Sequence, residues 1–126
     1  VSHRIAVIDD ERGICDLLRI MFDSRGWRTL AAHDGRAGID LVRREQPAVV
    51  LSDLKMPGLN GFELIQELRR DPATAGIPIV LLSAITQDSG KSDEEWAKSA
   101  GADAYVTKPF SPEAVLQLVE GLLAKR

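Results

Sequence analysis

The stretch "VVLSDLKMPGLNG", Val49 to Gly61, decides the fold. Apolar or small residues run straight into Asp53, and a turn built on Pro57, Gly58 and Gly61 follows at once. A continuous apolar run closed by turn residues reads as a strand covered on both faces. A charge at the end of such a strand is costly to desolvate, so it needs a compensating partner or a chemical use.

Outward from this stretch, short apolar runs alternate with segments of helical period. The other runs are Ile5–Ile8, Thr29–Ala32, Ile77–Leu82 and Ala104–Val106, with Ala48–Leu51 leading into Asp53. Ile14, Leu17, Leu18, Met21 and Phe22 follow the i, i+3, i+4, i+7, i+8 pattern of an amphipathic helix, and Val115, Leu118, Val119 and Leu122 form a similar stripe. Asn60 with Glu63, and Ser92 with Glu95, have the spacing of capping boxes. Pro112 and Glu113 suit a first helical turn, and Gly26 and Gly101 suit helix ends. The resulting order is β-α repeated five times, an α/β fold with a parallel sheet and helices on both faces. Ligands of such sheets bind at the carboxyl ends of the strands.

Bulk composition narrows the class. A chain of 126 residues with 44% hydrophobic and 28% charged residues has the length and make-up of one globular domain. A net charge of -3 argues against direct nucleic-acid binding. No apolar run approaches the ~20 residues of a membrane span, and "VSHRIAVIDD" lacks the apolar core of a signal peptide. The single Cys15 has no internal disulfide partner, which suits a reducing, cytoplasmic setting. No membrane partner is expected.

The strand ends carry the chemistry. The first strand runs into Asp9 and Asp10, the third into Asp53, the fourth into Ser83 and the fifth into Lys108-Pro109. Each residue also has a purely structural reading. Asp10 could cap a helix starting at Glu11, Asp53 could initiate a turn, Ser83 could end a strand, and Lys108 could be a solvated loop lysine. Their joint placement on one sheet edge favours a site. Two like charges ~4 Å apart repel by about 4 kcal/mol at an effective dielectric near ~20, so three carboxylates raise at least one pKa or recruit a cation. Oxygen donors without a paired His or Cys select Mg²⁺, with Mn²⁺ as the alternative. Mg²⁺ bound by carboxylates calls for phosphate oxygens as a further party. An aspartate can attack phosphorus without a general base, Lys108 can bind phosphate as a point charge, and the Ser83 hydroxyl can donate to it. The residues alone do not say which Asp is the nucleophile.

In this combination the chain resembles the receiver domain of two-component response regulators. The likeness rests on "IAVIDDE", "DLKMPGLNG", "LLSA" around Ser83 and "GADAYVTKPF", and it extends over almost the whole chain. It implies a flavodoxin-like sheet of order 2-1-3-4-5 in a single receiver domain, residues 1–126, with five helices. It implies that Asp53 accepts a phosphoryl group from a phosphohistidine of a sensor kinase or phosphotransfer domain. Asp10, Asp53 and the main-chain carbonyl of Lys55 would ligate Mg²⁺, and Asp9 would act mainly through a metal-bound water. Lys108 would bind the phosphate, with Pro109 after a cis peptide. Ser83 and Tyr105 would be the switch pair, altering the surface of the fourth helix, fifth strand and fifth helix. Such a domain is a signalling switch rather than an enzyme, catalysing only its own phosphoryl transfer and slow autodephosphorylation, and a phosphorylation-dependent homodimer is a common response.

Several features vary on the family pattern. Ser83 replaces the commoner Thr, and Lys55 puts a cation two residues past Asp53. Apolar Ile85 is expected to hinder the water that hydrolyses the acyl phosphate. The polar insert "TQDSGKSD" lengthens the segment between Ser83 and Lys108, either shaping partner choice or tolerated as a surface insertion. Two other readings stay open. A Mg²⁺-dependent aspartyl phosphohydrolase would usually carry an acid where Lys55 stands, and a phosphate-independent scaffold would not need all five site residues. Cys15 is expected to be partly buried packing, His3 and His33 not to be ligands, Trp27 to pack at a strand start, and Trp96 to pack on the sheet or lie in an interface. The downstream partner, and whether the chain stands alone or belongs to a larger regulator or hybrid kinase, are left open.

Overall fold

The computed structural model describes residues 3–84, 95, 98 and 100–124. Five strands form one parallel sheet in the order β2-β1-β3-β4-β5. The elements are β1 (Arg4–Ile8), α1 (Arg12–Ser24), β2 (Arg28–Ala32), α2 (Gly35–Glu45), β3 (Val49–Asp53), α3 (Gly61–Arg70), β4 (Ile79–Ala84), β5 (Ala104–Lys108) and α4 (Pro112–Ala124). Here α4 is the fifth helix of the expected order. Of the segment expected to form the helix before β5, Glu95, Lys98 and Ala100 are described and helical. Ile85, Trp96, the "TQDSGKSD" insert and Ser92, hence the expected Ser92–Glu95 cap, lie outside the described residues.

Alternation along each strand splits the core into two layers. Ala6 and Ile8 of β1 and Val50 of β3 pack with Ile39, Val42, Leu64, Ile65 and Leu68 from α2 and α3. Ile5, Val7 and Leu51 pack with Leu18, Phe22, Val115 and Val119 from α1 and α4. Both faces of β1 and β3 are therefore covered, which is why their sequences read as unbroken apolar runs. Each such side chain taken fully out of water contributes about 1.5–3 kcal/mol.

Local signals set the boundaries. Asn60 and Glu63 form the expected reciprocal capping box at the start of α3. The expected helix end at Gly26 has the left-handed backbone that only glycine adopts freely, with φ 86°. At the opposite end of the sheet from the residues that follow the strands, Arg69 fans out to the carbonyls of Ala75, Ile77 and Gly101 and to Asp103. Asp103 in turn accepts the main-chain N–H of Ile79, so the starts of β4 and β5 are tied to α3.

One structural alternative falls away and one helix-level expectation is revised. Residue Glu11 occupies the N-cap position of α1 and makes no side-chain cap, so Asp10 does not cap this helix. The buried face of α1 is Cys15, Leu18 and Phe22, while Leu17 is 44% exposed. The buried arc is rotated toward Cys15, because α1 packs against both the sheet and α4.

Candidate functional site

The strand register brings the expected residues to one edge. Asp9 directly follows β1, and its N–H still donates to the Ala32 carbonyl of β2 at 3.0 Å. Asp53 is the last residue of β3 and pairs with Leu82 of β4. Ser83 of β4 pairs with Thr107 of β5, and Ala84 with Lys108. A cavity of about 200 Å³ opens among these ends, lined by Asp10, Glu11, Asp53, Lys55, Ser83 and Lys108.

Asp9, Asp10 and Asp53 each offer a carboxylate oxygen within 4.8 Å of the others. Asp9 is fully buried and Asp53 nearly so, while Asp10 is exposed. The Lys108 ammonium neutralises the buried pair. Its Nζ donates to Asp9 Oδ2 at 3.0 Å and lies 3.3 Å from Asp53 Oδ1 and 3.7 Å from Glu11 Oε1. The other Asp9 oxygen, Oδ1, accepts the N–H of Glu11 at 2.9 Å. With its side chain only 14% exposed, Lys108 is not a solvated loop residue.

Burial, and then the charge of Asp9, push the Asp53 carboxyl up to about 6, against the lowering effect of Lys108. Crowding of like charge is thus the second cause, behind desolvation by the strand environment. Burial works to lower the Lys108 pKa, but its bond to Asp9 and the charges of Asp9 and Asp53 outweigh this, and the ammonium is held above its ordinary value.

The donor set fits a hard divalent cation. It consists of carboxylates clustered without His or Cys, and one of them, Asp53, is an acid raised by burial and by the charge of Asp9. These oxygens can hold Mg²⁺ or Mn²⁺ with room left for waters and anionic oxygens.

The remaining residues fall around this centre. Ser83 is buried at 2% exposure on the cavity wall. Tyr105, on β5, is partly buried and packs on the layer that contains Ile79 and Leu81. The Lys108–Pro109 peptide is cis. The loop after Asp53 is pinned by the burial of Leu54 and Met56, by the Gly61 N–H to Leu54 carbonyl bond of 2.8 Å, and by Leu59 against Gly35. Trp27 packs edge-on against Phe22 and touches His3.

Two features were not read from the sequence. Glu11, next to the acidic pair, lies on the cavity wall near Lys108, and its adjacency to Asp10 was the available signal. Cys15, expected to be partly buried, is 1% exposed, and its Sγ lies 3.6 Å from the Asp9 carbonyl oxygen. Burial pushes this thiol up to about 11, so it carries its hydrogen at neutral pH. His33 approaches the same oxygen.

Comparison with known proteins gives a consistent answer. The family model for the response regulator receiver domain matches residues 5–120. Protein PilH of Pseudomonas aeruginosa is 37% identical over 121 residues, which are 96% of this chain and 98% of that protein. The DNA-binding dual master transcriptional regulator RpaA of Synechocystis is 39% identical over 122 residues, 97% of this chain but 49% of that protein. The chain thus spans about half the length of RpaA. The chemotaxis response regulator CheY4 of Vibrio cholerae superposes with a TM-score of 0.86 at 25% identity, covering 97% of this chain and 99% of that one.

Proposed function

The chain belongs to the response regulator receiver domain family, and from that premise we propose that it is a switch written on Asp53. One observation carries the reading. Asp53 ends β3 beside an acidic cluster, and the Lys108 ammonium reaches it from the far edge strand. Receiver domains are generally signalling switches rather than dedicated enzymes, and the proposed chemistry is confined to the domain's own aspartate. Residues 1–126 are taken as a single such domain.

In the proposed step an Asp53 carboxylate oxygen attacks the phosphorus of a phosphohistidine on a sensor kinase or phosphotransfer domain. The O–P bond forms, the N–P bond breaks, and the electron pair leaves with the imidazole nitrogen. Although its carboxyl is raised to about 6, Asp53 is mostly ionised at neutral pH and needs no base. Asp10, Asp53 and the main-chain carbonyl of Lys55 would hold Mg²⁺, with Asp9 acting beside them through water. The ion supplies positive charge against the phosphoryl oxygens and the clustered acids. Lys108 shifts its hydrogen bonds from carboxylates toward a phosphoryl oxygen.

The new group adds charge and acceptor oxygens at the mouth of β3 and β4. The Ser83 hydroxyl donates to one of them. Tyr105, one strand over, turns inward into the space so freed, and the face formed by the helix before β5, by β5 and by α4 changes for its listener. A cytoplasmic setting, a kinase or phosphotransfer partner and a phosphorylation-dependent homodimer follow from the same reading. Slow self-hydrolysis of the acyl phosphate resets the switch.

The test is phosphorylation with acetyl phosphate or phosphoramidate, read by intact mass. One phosphoryl group is expected, dependent on Mg²⁺ and absent in Asp53→Asn. Uptake that persists in Asp53→Asn, or no uptake by the wild-type chain with Mg²⁺, overturns the reading.

A further inference from the structure

We propose that His33 and Cys15 are positioning residues for the acidic pair. Both hold the main-chain carbonyl of Asp9, and so set the direction from which Asp9 and Asp10 meet a divalent cation. The inference rests on the receiver reading of the site and adds to it two residues outside the carboxylate cluster.

The argument starts from where β1 stops pairing. The Asp9 N–H makes the bond to Ala32 that continues the β1–β2 ladder. The Asp9 carbonyl lies beyond the ladder and has side-chain partners instead. His33 Nδ1, just past β2, is 3.2 Å from this oxygen. Cys15 Sγ, from α1, is 3.6 Å from it. The two side chains are themselves 3.7 Å apart, so they converge on one acceptor. A carbonyl oxygen only accepts, so the His33 contact is a hydrogen bond when Nδ1 bears hydrogen. That condition is met by one neutral tautomer and by the imidazolium.

The consequence differs for the two acids. The Asp9 carboxylate is held on both oxygens, by the Glu11 N–H and by Lys108. The Asp10 side chain is exposed and, among the described residues, has no hydrogen bond or ion pair of its own. Its direction therefore depends on the Asp9–Asp10 peptide plane, and the carbonyl of that plane is the atom that His33 and Cys15 grip. Outer partners that orient a metal's ligands typically change affinity by about 10–100-fold when removed. His33 and Cys15 have that relation to Asp10 through a main-chain atom.

The experiment is calorimetric titration of the full chain with Mg²⁺, with Mn²⁺ as a cross-check and urea melts in EDTA as a control for folding. His33→Phe and Cys15→Ala should each weaken binding, His33→Phe by about tenfold. His33→Asn and Cys15→Ser, which keep a donor, should bind close to wild type. Long-range ¹H–¹⁵N spectra at alkaline pH should show His33 as the Nδ1–H tautomer. Wild-type binding with unchanged affinity in both donor-less variants overturns the proposal, as does equal weakening in the donor-bearing pair or an Nε2–H tautomer. If His33→Phe does not fold, the Cys15 pair and the tautomer decide. Failure of the wild-type chain to bind Mg²⁺ overturns the receiver reading itself, and this inference with it.

Discussion

Lys108 stands closer to Asp9, at 3.0 Å, than to Asp53, at 3.3 Å. The buried Asp9 is thus the main anchor of the ammonium, and Asp53 is the nearer of the two to release. Breaking a buried pair from one side leaves an uncompensated charge, at a cost of about 3–5 kcal/mol. Lys108→Met in EDTA should therefore lose about 3 kcal/mol of stability by urea denaturation, and Mg²⁺ should restore part of it. A loss below about 1 kcal/mol would show that Asp9 does not depend on this partner.

Asp53 should work against stability when ionised. Its carboxyl is raised from 3.8 to about 6, so between those values the folded chain binds more protons than the unfolded one. The contribution is fully present below about pH 4 and is lost as pH rises through about 6. Asp53→Asn in EDTA should be more stable than wild type at neutral pH, by on the order of 2 kcal/mol. Parallel pH profiles for the two proteins would refute this.

A divalent cation should reverse that shift. In EDTA the Asp53 carboxyl carbon should titrate near pH 6 by ¹³C NMR. Saturating Mg²⁺ should move the midpoint down, because an adjacent positive charge favours the carboxylate. An unmoved midpoint would mean that Asp53 is not at the cation.

Ser83→Ala should separate writing from switching. Tyr105 is the only tyrosine in the chain, so 3-fluorotyrosine labelling yields a single ¹⁹F resonance. Beryllofluoride with Mg²⁺ should shift it in the wild-type protein and shift it less in Ser83→Ala, while Asp53 still takes phosphate from phosphoramidate. An identical shift in both would remove Ser83 from the switch.

Gly61→Ala should disturb the site through the backbone. A methyl there would stand 2.7 Å from the Asp53 main-chain oxygen and 2.9 Å from Leu54 Cα. Neither can swing away as a flexible side chain would. A stability loss of about 1–3 kcal/mol is expected, with weaker Mg²⁺ binding because the loop carrying Lys55 must move. Unchanged melts and unchanged affinity would show that the loop accommodates the methyl.

Much of this was legible before any coordinates. Strands buried on both faces leave a continuous apolar run, so β1, β3 and β4 stand out, and the polar residue after each run marks the site edge. The Asn60–Glu63 cap is local and was equally plain. What escaped is geometry between elements. The stripe of α1 was read with Leu17 inside, because periodicity places an arc only to within a residue or so, and packing on α4 decided for Cys15. His33 looked isolated because its partners, Asp9 just after β1 and Cys15 on α1, are distant in the chain. The preference of Lys108 for Asp9 over Asp53 depends on strand register, which no composition or spacing reveals.

The ion pair between Lys108 and Asp9 joins positions 99 residues apart. Until β5 has docked, Asp9 and Asp53 lack the Lys108 ammonium. The centre therefore stays incomplete until residues far apart in the chain have come together. A nascent chain still missing β5 holds Asp53 but not the cation that stands beside it in the folded protein. The proposed switch would in this sense certify that β5 has docked, because the Lys108 ammonium arrives with that strand.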